Sequence, residues 1–257
     1  MTPTIGDDIR ACLRFYSRLP VSAGKEGHVM PDFSRVSWAT PLAGAAIGGV
    51  GSVVVVSAAL LHLPATVAGV GAVGALALAT GALHEDGLAD VADGFGGGAT
   101  RDQKLAIMRD SRLGSFGGLA LCLATFARVA AIGALFERGA VLAAVSIIAA
   151  SALSRAVGLI PLVTMRPARG DGAGASAATP SPAATRVALY LGSAIAVTPA
   201  LAGASLAQTV VAIMGAFGAA VVVSKLAQRQ IGGYTGDVLG AAQQVAEIAV
   251  LTALSAR

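Results

Sequence analysis

Residues 65–98 read ATVAGVGAVGALALATGALHEDGLADVADGFGGG, and the join inside this stretch decides the fold. Residues 65–83 carry no charge and are long enough to cross a hydrocarbon core, which needs about 17–25 residues as a helix. Directly after them, Glu85, Asp86, Asp90 and Asp93 place four carboxylates within nine residues. Charge at a membrane boundary is expensive and marks a site rather than a surface accident. On a helix advancing about 100° per residue, Asp86, Asp90 and Asp93 share a stripe roughly 60° wide. Three like charges so placed repel one another unless a cation lies between them. An oxygen-only set beside glycines suits Mg²⁺ holding a phosphate better than zinc.

Outward from this join the same composition continues. Of 257 residues, 55% are hydrophobic and 12% charged, about half the charged fraction of a soluble domain. Seven apolar segments, roughly 38–61, 65–83, 114–135, 140–163, 187–206, 208–224 and 238–255, predict an all-α, polytopic integral membrane helical bundle of about seven (six to eight) transmembrane helices. The last two are the weakest, being short or carrying Gln243, Gln244 and Glu247. If the segments alternate, fourteen Lys and Arg residues fall on one side. Only Arg138 and Arg257 fall on the other. The positive-inside rule makes the rich side cytoplasmic. Arg128 and Arg155 sit inside apolar segments, where a cation needs a partner and faces the bundle interior or a cavity.

Residues 1–35 form a polar, basic N-terminal segment without the early apolar core of a cleavable signal. Within it, Ile5, Ile9, Leu13, Tyr16 and Leu19 recur at helical spacing opposite Arg10, Arg14 and Arg18. The resulting amphipathic helix fits either the headgroup layer or the surface of the bundle. No second domain or internal repeat is visible, so residues 1–257 read as one membrane-embedded domain. The small-residue and proline stretch following Arg169 reads as a loop, with a substrate lid as the alternative. Cys12 and Cys122 suggest no disulfide framework. His28, His62 and His84 are too scattered for a metal site, and no P-loop or nucleophile elbow occurs. No basic patch with interleaved aromatics points to nucleic acid.

Two further motifs fall on the predicted cytoplasmic side. Ile107-Met108-Arg109-Asp110-Ser111-Arg112-Leu113-Gly114-Ser115-Phe116-Gly117 flanks an aspartate with guanidinium forks that match phosphate oxygens. Gly232-Gly233-Tyr234-Thr235-Gly236-Asp237-Val238-Leu239-Gly240 suggests a tight turn where backbone amides approach a ligand, with Asp237 there or capping the last span.

Together with Phe15-Tyr16-Ser17-Arg18-Leu19-Pro20-Val21, these three motifs resemble the cobalamin (5′-phosphate) synthase family, adenosylcobinamide-GDP ribazoletransferase. The resemblance implies a multi-pass inner-membrane enzyme with its active site facing the cytoplasm. It would join adenosylcobinamide-GDP to α-ribazole or its 5′-phosphate, releasing GMP, with Mg²⁺ as cofactor. On that reading Asp86, Asp90 and Asp93 are catalytic and, with Glu85, hold the metal. Arg109, Asp110, Arg112, Arg155 and Asp237 bind substrate. A homo-oligomer is compatible with it. One rival is a CDP-alcohol phosphotransferase, whose signature begins like Asp90-Val91-Ala92-Asp93-Gly94. The rest of that signature is replaced here by Gly97 and Gly98. The other rival is an ion-coupled transporter, whose site would lie near mid-membrane.

Overall fold

A computed structural model describes residues 4–22, 30–172 and 177–256. Among these, the helices are α1 (Ile5–Tyr16), α2 (Phe33–Val36), α3 (Thr40–Leu60), α4 (Ala65–Thr80), α5 (Leu83–Gly97), α6 (Arg101–Ile107), α7 (Ser115–Arg138), α8 (Ala140–Val157), α9 (Ile160–Thr164), α10 (Pro182–Ala196), α11 (Leu206–Ile231) and α12 (Gly236–Ser255). Six helical stretches are long and apolar enough to span a membrane, or seven if α4 and α5 are taken together. The two weakest expectations, 208–224 and 238–255, are both full spans, 206–231 and 236–255.

α8 and α12 are the most enclosed spans, and α3, α7, α10 and α11 pack around them. Small residues make the closest approach. A Cβ on Gly44 of α3 would lie 2.3 Å from the Ser151 carbonyl oxygen of α8, and one on Gly48 would lie 2.8 Å from the Ile148 Cα. Two glycines four apart therefore let the helix backbones touch, which is how membrane helices gain packing energy without a hydrophobic driving force between them. The opposite faces carry exposed apolar side chains: Leu119, Leu123 and Phe126 on α7, and Val210, Met214 and Val222 on α11. That belt faces lipid.

The join read from the sequence is a bend of 91° between α4 and α5. Gly81 and Ala82, at φ 64° and 57°, are both left-handed. Glycine takes this conformation freely, but alanine pays for it. α4 is only 16 residues, about 24 Å, so the chain turns at the end of the apolar core, and α5 runs across the end of the bundle. The turn is braced by the segment that follows α1: the Arg18 N–H donates to the Ala79 carbonyl at 2.7 Å. α1 begins with a capping box between Thr4 and Asp7. It buries Ala11, Cys12 and Tyr16 against the bundle, with Asp8 accepting from Trp38 Nε1 at 2.9 Å. It packs on the surface of the bundle, mainly against α3. Both cysteines are free, as expected.

Candidate active site

Every motif singled out in the sequence lies at the end of the bundle crossed by α5, but the members do different work. Asp93 is 8% exposed, and its Oδ2 and Oδ1 accept the backbone N–H groups of Gly114 and Gly117, each at 2.8 Å. These amides open α7, where unpaired N–H groups and the helix dipole favour an anion. Asp93 thus caps α7 and ties α5 to it.

Glu85 turns inward. Its Oε1 accepts from Arg128 Nη1 at 2.7 Å, while Arg128 Nη2 lies 2.8 Å from Glu247 Oε1. Arg155 Nη1 is 3.7 Å from Glu247 Oε2 and donates to the Ser151 carbonyl at 2.9 Å. Both membrane-embedded arginines therefore find partners, in a buried network of two acids and two bases. Arg155 is 2% exposed and is absent from the cavity wall described below, so the structure encloses it behind the site rather than at its surface. Glu247, one of the polar residues that weakened the prediction of the last span, is the network's hub.

Asp86, Asp90 and Asp237 form the open part of the site. Asp86 is exposed, and Asp90 and Asp237 are half-buried. Burial and the carboxylates of Asp86, Asp237 and Asp93 push the Asp90 carboxyl up to about 7, against a smaller opposing pull from Arg169. Asp237, in the first turn of α12, accepts from the Thr235 hydroxyl at 3.1 Å, and Arg169 Nη2 approaches it at 3.6 Å. Arg169 sits there because its loop pairs with the glycine motif. The Ala168 N–H donates to the Tyr234 carbonyl at 2.8 Å, and the Tyr234 N–H donates to the Arg166 carbonyl at 3.0 Å. α6 clamps the same junction, with Arg101 Nε donating to the Ile231 carbonyl at 2.9 Å and Lys104 Nζ to Gln230 Oε1 at 2.6 Å.

Arg109 and Arg112 stand further out and are exposed. Arg112 forks onto Asp110, Nε to Oδ1 at 2.9 Å, and holds that carboxyl down to about 2. Arg109 pairs with Asp171, which also lies 3.9 Å from Arg169. A chain of alternating charge, Arg109, Asp171, Arg169, Asp237, therefore leads inward to the carboxylates. Arg169 was legible only as a cation opening a glycine-rich loop; nothing in its sequence neighbourhood pairs it with Asp237.

A cavity of about 150 Å³ opens beside Asp86 and Asp237. Its wall includes Phe15 and Tyr16 from the end of α1, His84 from α5, and Gln243 from α12. Neither Tyr16 nor Gln243 was singled out as a site residue, because each reads in sequence as part of a helix face.

Among the described residues, no three His, Cys, Asp or Glu side chains converge closely enough to enclose an ion. The donor chemistry nevertheless fits Mg²⁺. The three open carboxylates face one compensating cation, and Mg²⁺ keeps several waters and needs only one or two protein carboxylates when substrate phosphates complete its shell.

The fold and site define a polytopic membrane protein with three open carboxylates and one arginine gathered beside a cavity at one end. The cobalamin-5-phosphate synthase family model matches residues 8–255, and the chain belongs to that family. An adenosylcobinamide-GDP ribazoletransferase from Azorhizobium caulinodans is 48% identical over 95% of this chain and 93% of its own length. Those from Xanthobacter autotrophicus and Sinorhizobium sp. are 47% and 42% identical, each over 95% or more of both chains. No solved structure matches.

Proposed function

We propose that this chain is a transferase that joins adenosylcobinamide-GDP to α-ribazole or its 5′-phosphate, forming adenosylcobalamin or its 5′-phosphate and releasing GMP, the joining step of nucleotide-loop assembly. One observation carries the assignment of the site. Three segments far apart in sequence, α5, the loop bearing Arg169 and the turn opening α12, meet at one mouth beside the cavity.

The reaction exchanges one phosphate ester partner for another. The ribose hydroxyl of the acceptor attacks the phosphorus bonded to cobinamide, the phosphoanhydride bond to GMP breaks, and the hydroxyl proton passes to a carboxylate. Such transfer needs positioning and charge neutralisation more than covalent participation by the protein. The cluster of Asp86, Asp90 and Asp237 would supply the one or two carboxylates that hold Mg²⁺ alongside substrate phosphates and water, with Asp93 fixing α5 against α7. When bound, Mg²⁺ supplies charge neutralisation on the diphosphate. Arg169, released in part from Asp237, contacts a phosphate, and Arg109 and Arg112 draw the anionic substrate towards the mouth. Asp90, whose carboxyl burial and its acidic neighbours push up to about 7, takes up a proton near neutral pH when the ion is absent.

The positive-inside rule supports a cytoplasmic orientation of the cation-rich end, and with it a site on that face of the inner membrane. Its position at the end of the bundle, rather than midway along the spans, disfavours the transporter reading. The direct test incubates purified protein with both substrates, with and without Mg²⁺, and measures GMP. Release that requires both substrates and the ion is expected; no GMP under any condition would overturn the assignment.

A further inference from the structure

The cavity beside Asp86 has a character that phosphate chemistry does not require. Phe15, Phe33 and Tyr16 meet edge to face, with ring centroids 4.9 to 6.5 Å apart. Tyr16 lies nearly parallel to His84 at 6.0 Å. Leu83, Leu159, Leu162 and Leu239 complete a largely apolar wall. Its volume, about 150 Å³, matches an engineered core cavity that binds benzene, so it takes a flat ring and excludes a corrinoid. Among the described residues, Nε2 of His84 and Oε1 of Gln243 on this wall have no hydrogen bond of good geometry; the two side chains neighbour each other, each on a residue 5% exposed, and His84 is the one that can donate to a ligand. A buried polar atom left unpaired is unfavourable unless a ligand satisfies it.

From these observations we infer that the cavity seats the aromatic base of the accepting nucleoside, with His84 Nε2–H donating to the ring nitrogen not bonded to ribose. The inference rests on the transferase reading above and adds which substrate lies where. The benzimidazole of α-ribazole is flat, mostly apolar and has one free ring nitrogen, an acceptor. The wall offers this base stacking surface, apolar contacts and one donor. Guanine, the competing occupant, presents donors and acceptors along its whole edge, and most of them would face leucine and phenylalanine here. Seated in the cavity, the base leaves its ribose at the mouth, beside Asp86 and Asp237. His84 and Tyr16 are therefore specificity-determining residues for the acceptor, and α1 contributes a wall of the site rather than only an anchor.

The test measures KM from GMP release for α-ribazole and for its indole counterpart, in which the free ring nitrogen is replaced by C–H. Wild type is expected to favour the benzimidazole by about tenfold. In His84→Phe, the KM for benzimidazole should rise to that of the indole nucleoside. The KM for indole and for adenosylcobinamide-GDP should change less than about twofold. Ala177→Phe, a cavity-filling change from a loop outside the helices, should raise the KM of both nucleosides and spare adenosylcobinamide-GDP. Its use keeps the test valid if His84→Phe does not fold. Equal losses on both nucleosides in His84→Phe, an unchanged nucleoside KM in Ala177→Phe, or a rise confined to adenosylcobinamide-GDP would each overturn the inference, the last by placing guanine in the cavity. Failure of wild type to release GMP from the natural pair would instead overturn the transferase reading, and this inference with it.

Discussion

Asp90 and Asp93 stand three residues apart on one stripe of α5, yet the structure gives them opposite work. Asp93 spends both oxygens on the amides that open α7. Asparagine can accept at only one position and brings an N–H₂ group against an N–H. Asp93→Asn should therefore destabilise the protein by about 1–2 kcal/mol, the range for a lost cap, read as a lower melting temperature in detergent. Asp90→Asn and Asp237→Asn remove charge from an open cluster that repels itself, so they should abolish Mg²⁺-dependent GMP release while leaving the melting temperature unchanged or higher. The same residue sets a pH dependence. The folded Asp90 carboxyl is pushed up from 3.8 to about 7, so it stays protonated in the fold where an unfolded chain would have ionised. Protons should then compete with Mg²⁺: the Mg²⁺ concentration giving half-maximal rate should increase as pH falls through about 7 and level off above about pH 8. The sequence showed the stripe, because it rests on helical spacing alone. It could not show the division of labour, which depends on what α7 and α12 bring against each position.

At the scale of elements, the buried network joins α5, α7, α8 and α12 through Glu85, Arg128, Arg155 and Glu247. Such a network is expensive to assemble, but removing one member is worse, because a charge is then stranded away from water. Glu247→Gln leaves two arginines facing one carboxylate and should cost about 3–5 kcal/mol. Combining it with Arg155→Met restores neutrality, and the double variant should be less destabilised than the sum of the two singles. Additive losses in a double-mutant cycle of melting curves would show that the four charges do not act as a unit. Arg128 and Arg155 were conspicuous in sequence as cations within apolar runs, which is why a partner could be demanded of them. Their partners could not be named, since Glu85 precedes Arg128 by 43 residues and pairing depends on how the spans pack. The 91° bend was equally hidden. Ala82 adopts a left-handed conformation that its residue type disfavours, held in part by its N–H donating to the Ala77 carbonyl at 2.8 Å.

At the scale of the whole molecule, hydropathy alone located the spans because the bilayer imposes length and apolarity on any crossing helix. The same constraint fixes which ends share a face. Arg18, the acidic helix α5, Arg112, Arg169 and the turn at Gly232 belong to one end, whereas Arg138 and the start of α11 belong to the other. There Arg138 donates to the Leu254 carbonyl at 2.7 Å. Charge counting predicts that the first end faces the cytoplasm. Single cysteines can test this in a background lacking the native thiols, of which Cys12 is buried and Cys122 lies on an exposed face of α7. Ser111→Cys and Leu201→Cys mark opposite ends on exposed positions of connecting segments. In intact cells, a membrane-impermeant maleimide should label the cysteine at 201 and spare that at 111, and permeabilising the inner membrane should expose both. The reverse pattern would put α5 and its carboxylates outside, away from any cytoplasmic supply of nucleotide-activated substrate. Labelling of both before permeabilisation would break the alternation of spans on which the charge count rests.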